Sequence, residues 1–219
     1  MSEAVALVAC YNEEEKIADT VKSLMEIGLE VVVVDDCSID NSAKKADEAG
    51  ARVLVLNENI GKGAAIRTAL ASINASIVLF LDGDLGSSAK EAKKILEPVE
   101  KNQADVSIAV FPKPEIKGGF GLAKGLARWG IKRFTGLEMA APLSGQRAIR
   151  KEVLDKVVIE DGFGLETGLT IDTVRAGFRI VEVKTNMAHS ATGRNIPGFI
   201  HRGKQFIAIA KVIIKRVGR

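Results

Sequence analysis

Asp82 and Asp84 stand one residue apart, with Gly83 between them. Two neighbouring carboxylates repel each other, and neither is cheap to bury unpaired. A divalent cation removes both costs. Hard oxygen ligands suit Mg²⁺ or Mn²⁺, ions that commonly share their shell with substrate phosphates. Gly83 leaves room for a phosphate to approach. Taken alone, the pair also fits a solvated turn after a strand. Its surroundings favour the metal. The pair ends the apolar run 77–81, which is short, bounded and predicts a buried strand. In an open α/β sheet, ligands bind beyond the carboxyl ends of the strands.

The same arrangement recurs upstream. Segments 4–9, 30–34 and 52–56 read as strands, each followed by helical spacing. Four strands alternating with helices predict a mostly parallel, right-handed wound sheet. The first strand runs into Cys10, Tyr11, Asn12, Glu13 and Glu14. Asn12 fits a helix N-cap, with acids in the first turn of a helix through Ile17, Val21 and Leu24. The second strand ends in Asp35 and Asp36, and Ser38 or Asp40 can cap the helix that follows. A carboxylate at that strand end can also accept hydrogen bonds from a ribose or base. The third strand leads to Gly61, Lys62 and Gly63 at a helix start, an anion site whose spacing is not that of a P-loop.

After a strand at 104–110 the character changes. Residues 113–133 are glycine-rich and basic, which fits a solvated face or a site for an anionic acceptor. Residues 142–149 read as a turn into a strand, 161–172 as a loop feeding a helix with Glu166 in its first turn, and 179–183 as a further strand. His189 follows in a polar loop, as a metal ligand or a packed histidine. Arg194 lies five residues on, within reach of the same pyrophosphate. From Pro197 the chain reads as a basic amphipathic helix, whose apolar face either packs on the core or docks on a membrane surface.

The chain has 219 residues, 47% hydrophobic and 27% charged, enough for one large α/β unit with its own core. A net charge of +3 gives no reason to expect nucleic acid. Cys10 and Cys37 are expected as reduced thiols. No stretch approaches the roughly 20 apolar residues of a membrane span, and the N-terminus lacks a signal-peptide pattern. A cytoplasmic protein is expected, with peripheral contact at the inner membrane face through the last helix as an option. A homodimer is compatible with the sequence.

Together these segments resemble the nucleotide-sugar glycosyltransferases of the GT-A fold, within the large family two group. Ala9 to Glu14 is like the family's first-strand motif, without its usual preceding proline. Residues 34–40 resemble D-D-x-S-x-D, 59–63 resemble N-x-G-K-G, and 82–84 resemble D-x-D, all in the family's order. The resemblance implies a single Rossmann-like α/β domain over 1–219, its mostly parallel central sheet flanked by helices. Residues 1–110 would form the donor half, and 111–219 the acceptor half with its C-terminal amphipathic helix. It implies that Asp36 and the first loop, with Ala9, Tyr11, Asn12 and Glu13, hold the nucleoside. Gly61 and Lys62 would lie near base or phosphate, and Asp82 and Asp84 would bind the metal, Asp84 leading.

Segments 142–146 and 164–173 look like parts of glucosyl-3-phosphoglycerate synthases. That likeness places Ser144 and Gly145 at the substrate and Glu166 at the donor sugar or acceptor hydroxyl. In that group a later histidine completes the metal shell, and His189 matches in order. The group's arginine-and-threonine phosphate motif is not evident near 118–120. Polyprenyl-phosphate sugar synthases are the nearest alternative, but their extra metal ligand would fall at Gly86, which has no side chain to serve.

The implied reaction moves a sugar from a UDP- or GDP-sugar to an anionic acceptor, either a phosphoglycerate-like small molecule or a lipid phosphate. The metal and cations such as Arg194 would neutralise the leaving diphosphate. Glu166 or Asp161 could act as base in an inverting reaction; a phosphate acceptor needs none. The opposing reading is a non-catalytic nucleotide-sugar-binding module. A nucleotidyltransferase would want a basic glycine-rich loop after the first strand, where this chain is acidic.

Overall fold

The computed structural model describes residues 2–112, 121–188 and 196–217. Among these residues, seven strands form one sheet: β1 (Ser2–Cys10), β2 (Glu30–Asp35), β3 (Arg52–Val55), β4 (Ala75–Asp82), β5 (Val106–Val110), β6 (Arg147–Arg150) and β7 (Ile180–Lys184). Their order across the sheet is β3-β2-β1-β4-β6-β5-β7. The pairs β2–β3, β1–β2, β1–β4 and β5–β7 are parallel, as the alternating pattern predicts. β6 departs from that pattern and runs antiparallel to both β4 and β5. An antiparallel strand brings its leading loop to the end where parallel strands finish. Residues 141–146 are thereby delivered beside the end of β4.

The strands are apolar on both faces, as a sheet covered on both sides must be. Their side chains alternate between two cores. Val8, Ile77, Leu79 and Leu81 face one, with Ile17, Val21 and Leu24 of α1 (Ile17–Glu26) and Ile95 and Val99 of α4 (Ala92–Glu100). Leu7, Val78 and Phe80 face the other, with Ala65 and Ile66 of α3 (Lys62–Leu70) and Leu165 and Leu169 of α7 (Leu165–Arg175). Two short helices, α2 (Ser42–Glu48) and α6 (Lys151–Leu154), fill the connections.

The helices α5 (Leu122–Thr135) and α8 (Ile196–Ile214) form an outer layer. Ala127 meets Ile209 and Ile213 between them. Thus one face of the last helix packs inward, and Ile207 and Ile214 stay exposed. Residues 113–120 of the basic stretch lie outside the described residues.

One expected cap is not made. α1 begins at Ile17, and Asn12 sits well before it with a φ of 55°. Asparagine tolerates that left-handed conformation, and here it shapes a loop instead. Nor is Ser38 or Asp40 the N-cap of α2, a position that Asn41 takes; Asp40 Oδ1 accepts the N–H of Ser42, the first helical residue, at 2.9 Å from just before it.

Candidate active site

β4 carries Asp82 to the sheet end, opposite Ala9 of β1. A 3₁₀ segment, Gly83–Glu91, follows at once and turns Asp84 inward, leaving it only 9% exposed. Thr20 of α1 fixes this turn. Its buried hydroxyl donates to the Gly83 carbonyl at 2.8 Å and accepts the Gly86 N–H at 2.8 Å. Glu13 completes an acidic cluster. Burial raises its pKa, and the Asp84 and Asp82 carboxylates raise it further. Among the described residues, no three His, Cys, Asp or Glu side chains gather tightly enough to cage a metal alone. An ion that shares its shell with phosphates needs no such cage.

Lys62 opens α3 and turns its ammonium onto Asp82 Oδ1, with Glu166 Oε1 at 4.0 Å. Burial works against that charge, but Asp82 and Glu166 outweigh it and hold the lysine pKa above its ordinary value. On its other oxygen, Asp82 accepts Gln146 Nε2 at 2.6 Å. Gly145 lies against all three: an added Cβ would stand 2.5 Å from Lys62 Nζ, 3.5 Å from Glu166 Oε1 and 3.7 Å from Asp82 Oδ2. A side chain there would have to push the Lys62 ammonium aside. The structure therefore brings Lys62, Asp82, Gly145 and Glu166 together from four segments of the chain.

The carboxylates of Asp35, which ends β2, and of Asp36, which follows it, are buried and hold loops. Asp36 accepts the N–H groups of Ile60 and Gly61, both at 2.8 Å, which sets the turn into α3; Gly61 there has a φ of 86°. Asp35 accepts the Ser38 N–H at 2.9 Å. Ser38 and Asn12 then join the first two loops, through Asn12 N–H to Ser38 Oγ and Ile39 N–H to Asn12 Oδ1, each 2.9 Å. Tyr11 projects from this scaffold, 47% exposed.

A buried arginine supports the Ser144–Gly145 turn. Arg147 of β6 is 1% exposed and donates to the Ser144 carbonyl and to Thr170 Oγ1, both at 2.9 Å. Thr170 in turn donates to the Glu166 carbonyl at 2.8 Å. Burial pushes the Arg147 pKa down to about 10, against the pull of Glu166 and Glu182. Glu182 steadies the same turn by accepting the N–H groups of Ala140 and Ala141.

His189 and Arg194 lie outside the described residues. Their neighbour Ala188 lies beside the acidic turn: its N–H donates to Ser88 Oγ at 3.0 Å. Thr20, Gln146, Arg147 and Glu182 are working parts that the sequence reading missed. Thr20 and Arg147 carry a signal, since each is a polar side chain inside an apolar pattern.

Comparison with known proteins extends the geometry. A family model described as glycosyl transferase family 2 matches residues 5–158, more than half of the chain. The chain belongs to glycosyl transferase family 2. It is 32% identical to glycosyltransferase AglJ of Haloferax volcanii, over 82% of this chain and 61% of that protein. It is 29% identical to a glucosyl-3-phosphoglycerate synthase of Mycobacterium tuberculosis, over 76% of this chain and 59% of that one. It is also 25% identical to an undecaprenyl-phosphate 4-deoxy-4-formamido-L-arabinose transferase of Pseudomonas fluorescens, over 69% of this chain and 48% of that protein. The chain thus spans about three fifths of the length of the first two. The crystal structure of the mycobacterial synthase with Mn²⁺, UDP and phosphoglyceric acid shares the fold, with a TM-score of 0.83 at 24% identity, over 99% of this chain and 79% of that one.

Proposed function

We propose that this family 2 chain transfers a sugar from a nucleoside-diphosphate sugar to an acceptor bearing a phosphate or carboxylate, with Mg²⁺ or Mn²⁺ bound. The observation that carries the reading is the meeting of Lys62, Asp82 and Glu166 over Gly145 at the ligand-binding end of the sheet. The donor set fits a hard divalent cation, because Glu13, Asp82 and Asp84 crowd negative charge at one turn. Asp84, turned inward beside Glu13, would lead the binding, with Asp82 next to it. By sequence order His189 would be a further ligand; the N–H of its neighbour Ala188 donates to Ser88 Oγ, in the 3₁₀ segment that carries Asp84. When bound, the ion supplies positive charge against the diphosphate that leaves.

The protein's own groups do the rest. Asp36 and Asn12 shape the loops that receive the nucleoside, with Tyr11 and Glu13 at their rim. Lys62 presents a firmly protonated ammonium where the leaving group's charge develops. Arg194 would add a second cation there. Glu166 faces the donor sugar or the attacking hydroxyl, its carboxylate beside Lys62 and its backbone carbonyl bonded to Thr170. Ser144 and Gly145 line the sugar. A lipid-phosphate acceptor is the second reading, supported by the relative named for undecaprenyl phosphate and by the exposed apolar face of α8.

The test is a panel of UDP-, GDP- and ADP-sugars with Mn²⁺, read by thermal shift and donor hydrolysis. A ligand that binds the native state raises its melting temperature. One nucleotide class should do so, and only with metal present. Phosphoglycerate and a polyprenyl phosphate then compete as acceptors. A melting temperature unmoved by every donor would overturn the proposal in favour of a non-catalytic role.

A further inference from the structure

We infer that α8, with the outer edge of α5, is a docking surface for an anionic lipid bilayer. The inference rests on these two helices and not on which acceptor is used. Phe206, Ile207, Ile214 and Val217 are between 40% and 68% exposed. Seven residues separate Ile207 from Ile214, so these two side chains share one side of α8, and Val217 lies in the turn just beyond it. The opposite side is occupied, with Ile209, Val212 and Ile213 buried. The helix cannot rotate to hide the exposed residues. Gly130 of α5 admits Ile213 so closely that an added Cβ would stand 2.5 Å from it. Gly164 admits Val212 in the same way, at 2.3 Å.

Charge selects the occupant. Neither Leu122–Thr135 nor 196–217 contains an aspartate or glutamate. Lys211 and Lys215 flank the apolar stripe and are exposed. Lys124 and Arg133 are exposed on α5, beside Leu122 and Trp129, which are 68% and 57% exposed. Lys124, Arg133 and Lys211 have no ion pair among the described residues. An apolar stripe bordered by cations is the pattern of a helix lying in the bilayer interface, where anionic headgroups meet the lysines. A second copy fits less well. In a twofold contact the same patch meets itself, so lysines would face lysines. No helix among the described residues is long and apolar enough to cross a membrane, so the contact lies along the surface.

The experiment is co-sedimentation with vesicles of phosphatidylcholine alone and with phosphatidylglycerol added. The wild-type protein should sediment with the anionic vesicles only, and less as salt rises. The double variant Ile207→Glu/Ile214→Glu changes exposed residues and should keep its melting temperature while losing sedimentation. Lys211→Gln should weaken partitioning about fivefold, the worth of one cation near an anionic surface. Trp129 is the chain's single tryptophan, and its emission should shift to the blue on binding. The inference fails if anionic vesicles do not bind the wild type, or if the double variant binds as well as it does. It also fails in favour of a second copy if light scattering finds a wild-type dimer that the double variant dissolves.

Discussion

Gly145 leaves the site no slack. The atom nearest to an added methyl is Lys62 Nζ, the tip of a flexible side chain. The fold should therefore absorb Gly145→Ala, and the ammonium should move. We expect little change in melting temperature and a fall in turnover of at least about tenfold, since misplacing a group by 1 Å can cost roughly 10²-fold. Thermal melts and steady-state rates on the same preparation check both halves. At Asp84, stability and activity should separate. The carboxylates of Glu13, Asp82 and Asp84 crowd one turn, so Asp84→Asn relieves repulsion in the metal-free protein. Its melting temperature in chelator should hold or rise, by about 2–4 °C for each kcal/mol relieved in a domain of this size. Transfer should disappear. A variant that melts lower in chelator would show that Asp84 serves the fold instead.

Arg216 fastens α8 to the body through charge. It is 2% exposed, pairs with Asp172 of α7, and donates to Glu160 Oε1 at 3.0 Å. Breaking a buried pair by removing one partner costs about 3–5 kcal/mol. Arg216→Met should lower the urea midpoint accordingly. Burial pushes the Glu160 pKa up, but Lys215 and Arg216 outweigh it and hold it below the ordinary value. A depressed carboxylate stabilises fully above its unfolded pKa and loses that contribution as pH falls through the folded one. The gap between wild type and Arg216→Met should therefore narrow in acid. A gap that stays constant with pH would separate Arg216 from Glu160. Elements of this kind were readable in the sequence to different depths. The run from Val31 to Val34 and the apolar period marked all seven strands. The direction of β6 left no mark, because period-two alternation is the same whichever way a strand runs. Asn12 was misplaced because a cap and a left-handed loop residue favour the same side chain. Asp82, Asp84, Lys62 and Glu166 stood out as charges at element ends. Gln146 and Arg147 gave their roles only when β6, the direct neighbour of β4, had a direction.

At the scale of the whole molecule, the site is assembled from distant parts of the chain. Asp82 and Gln146 are 64 residues apart, and Ser88 and Ala188 are 100 apart. β1 and β4 sit mid-sheet, yet β6 must slot between β4 and β5 before Gly145 can meet Lys62. That antiparallel insertion has a kinetic consequence. Contacts between distant residues form only after their loop-closure entropy is met, and they slow folding. The first three strands can pair each with the next in sequence, while β6 must also reach back to β4 and β7 to β5. On dilution from urea, far-ultraviolet ellipticity should recover first. Trp129, carried on α5 in the later half, should reach its native emission afterwards, and nucleotide binding should return with it. Identical single-exponential traces from all three signals would mean that the sheet closes in one step. If they separate, the meeting of Lys62, Glu166 and Gly145 is the last thing this chain makes, and a nascent chain lacks it until the strand from Arg147 to Arg150 has arrived.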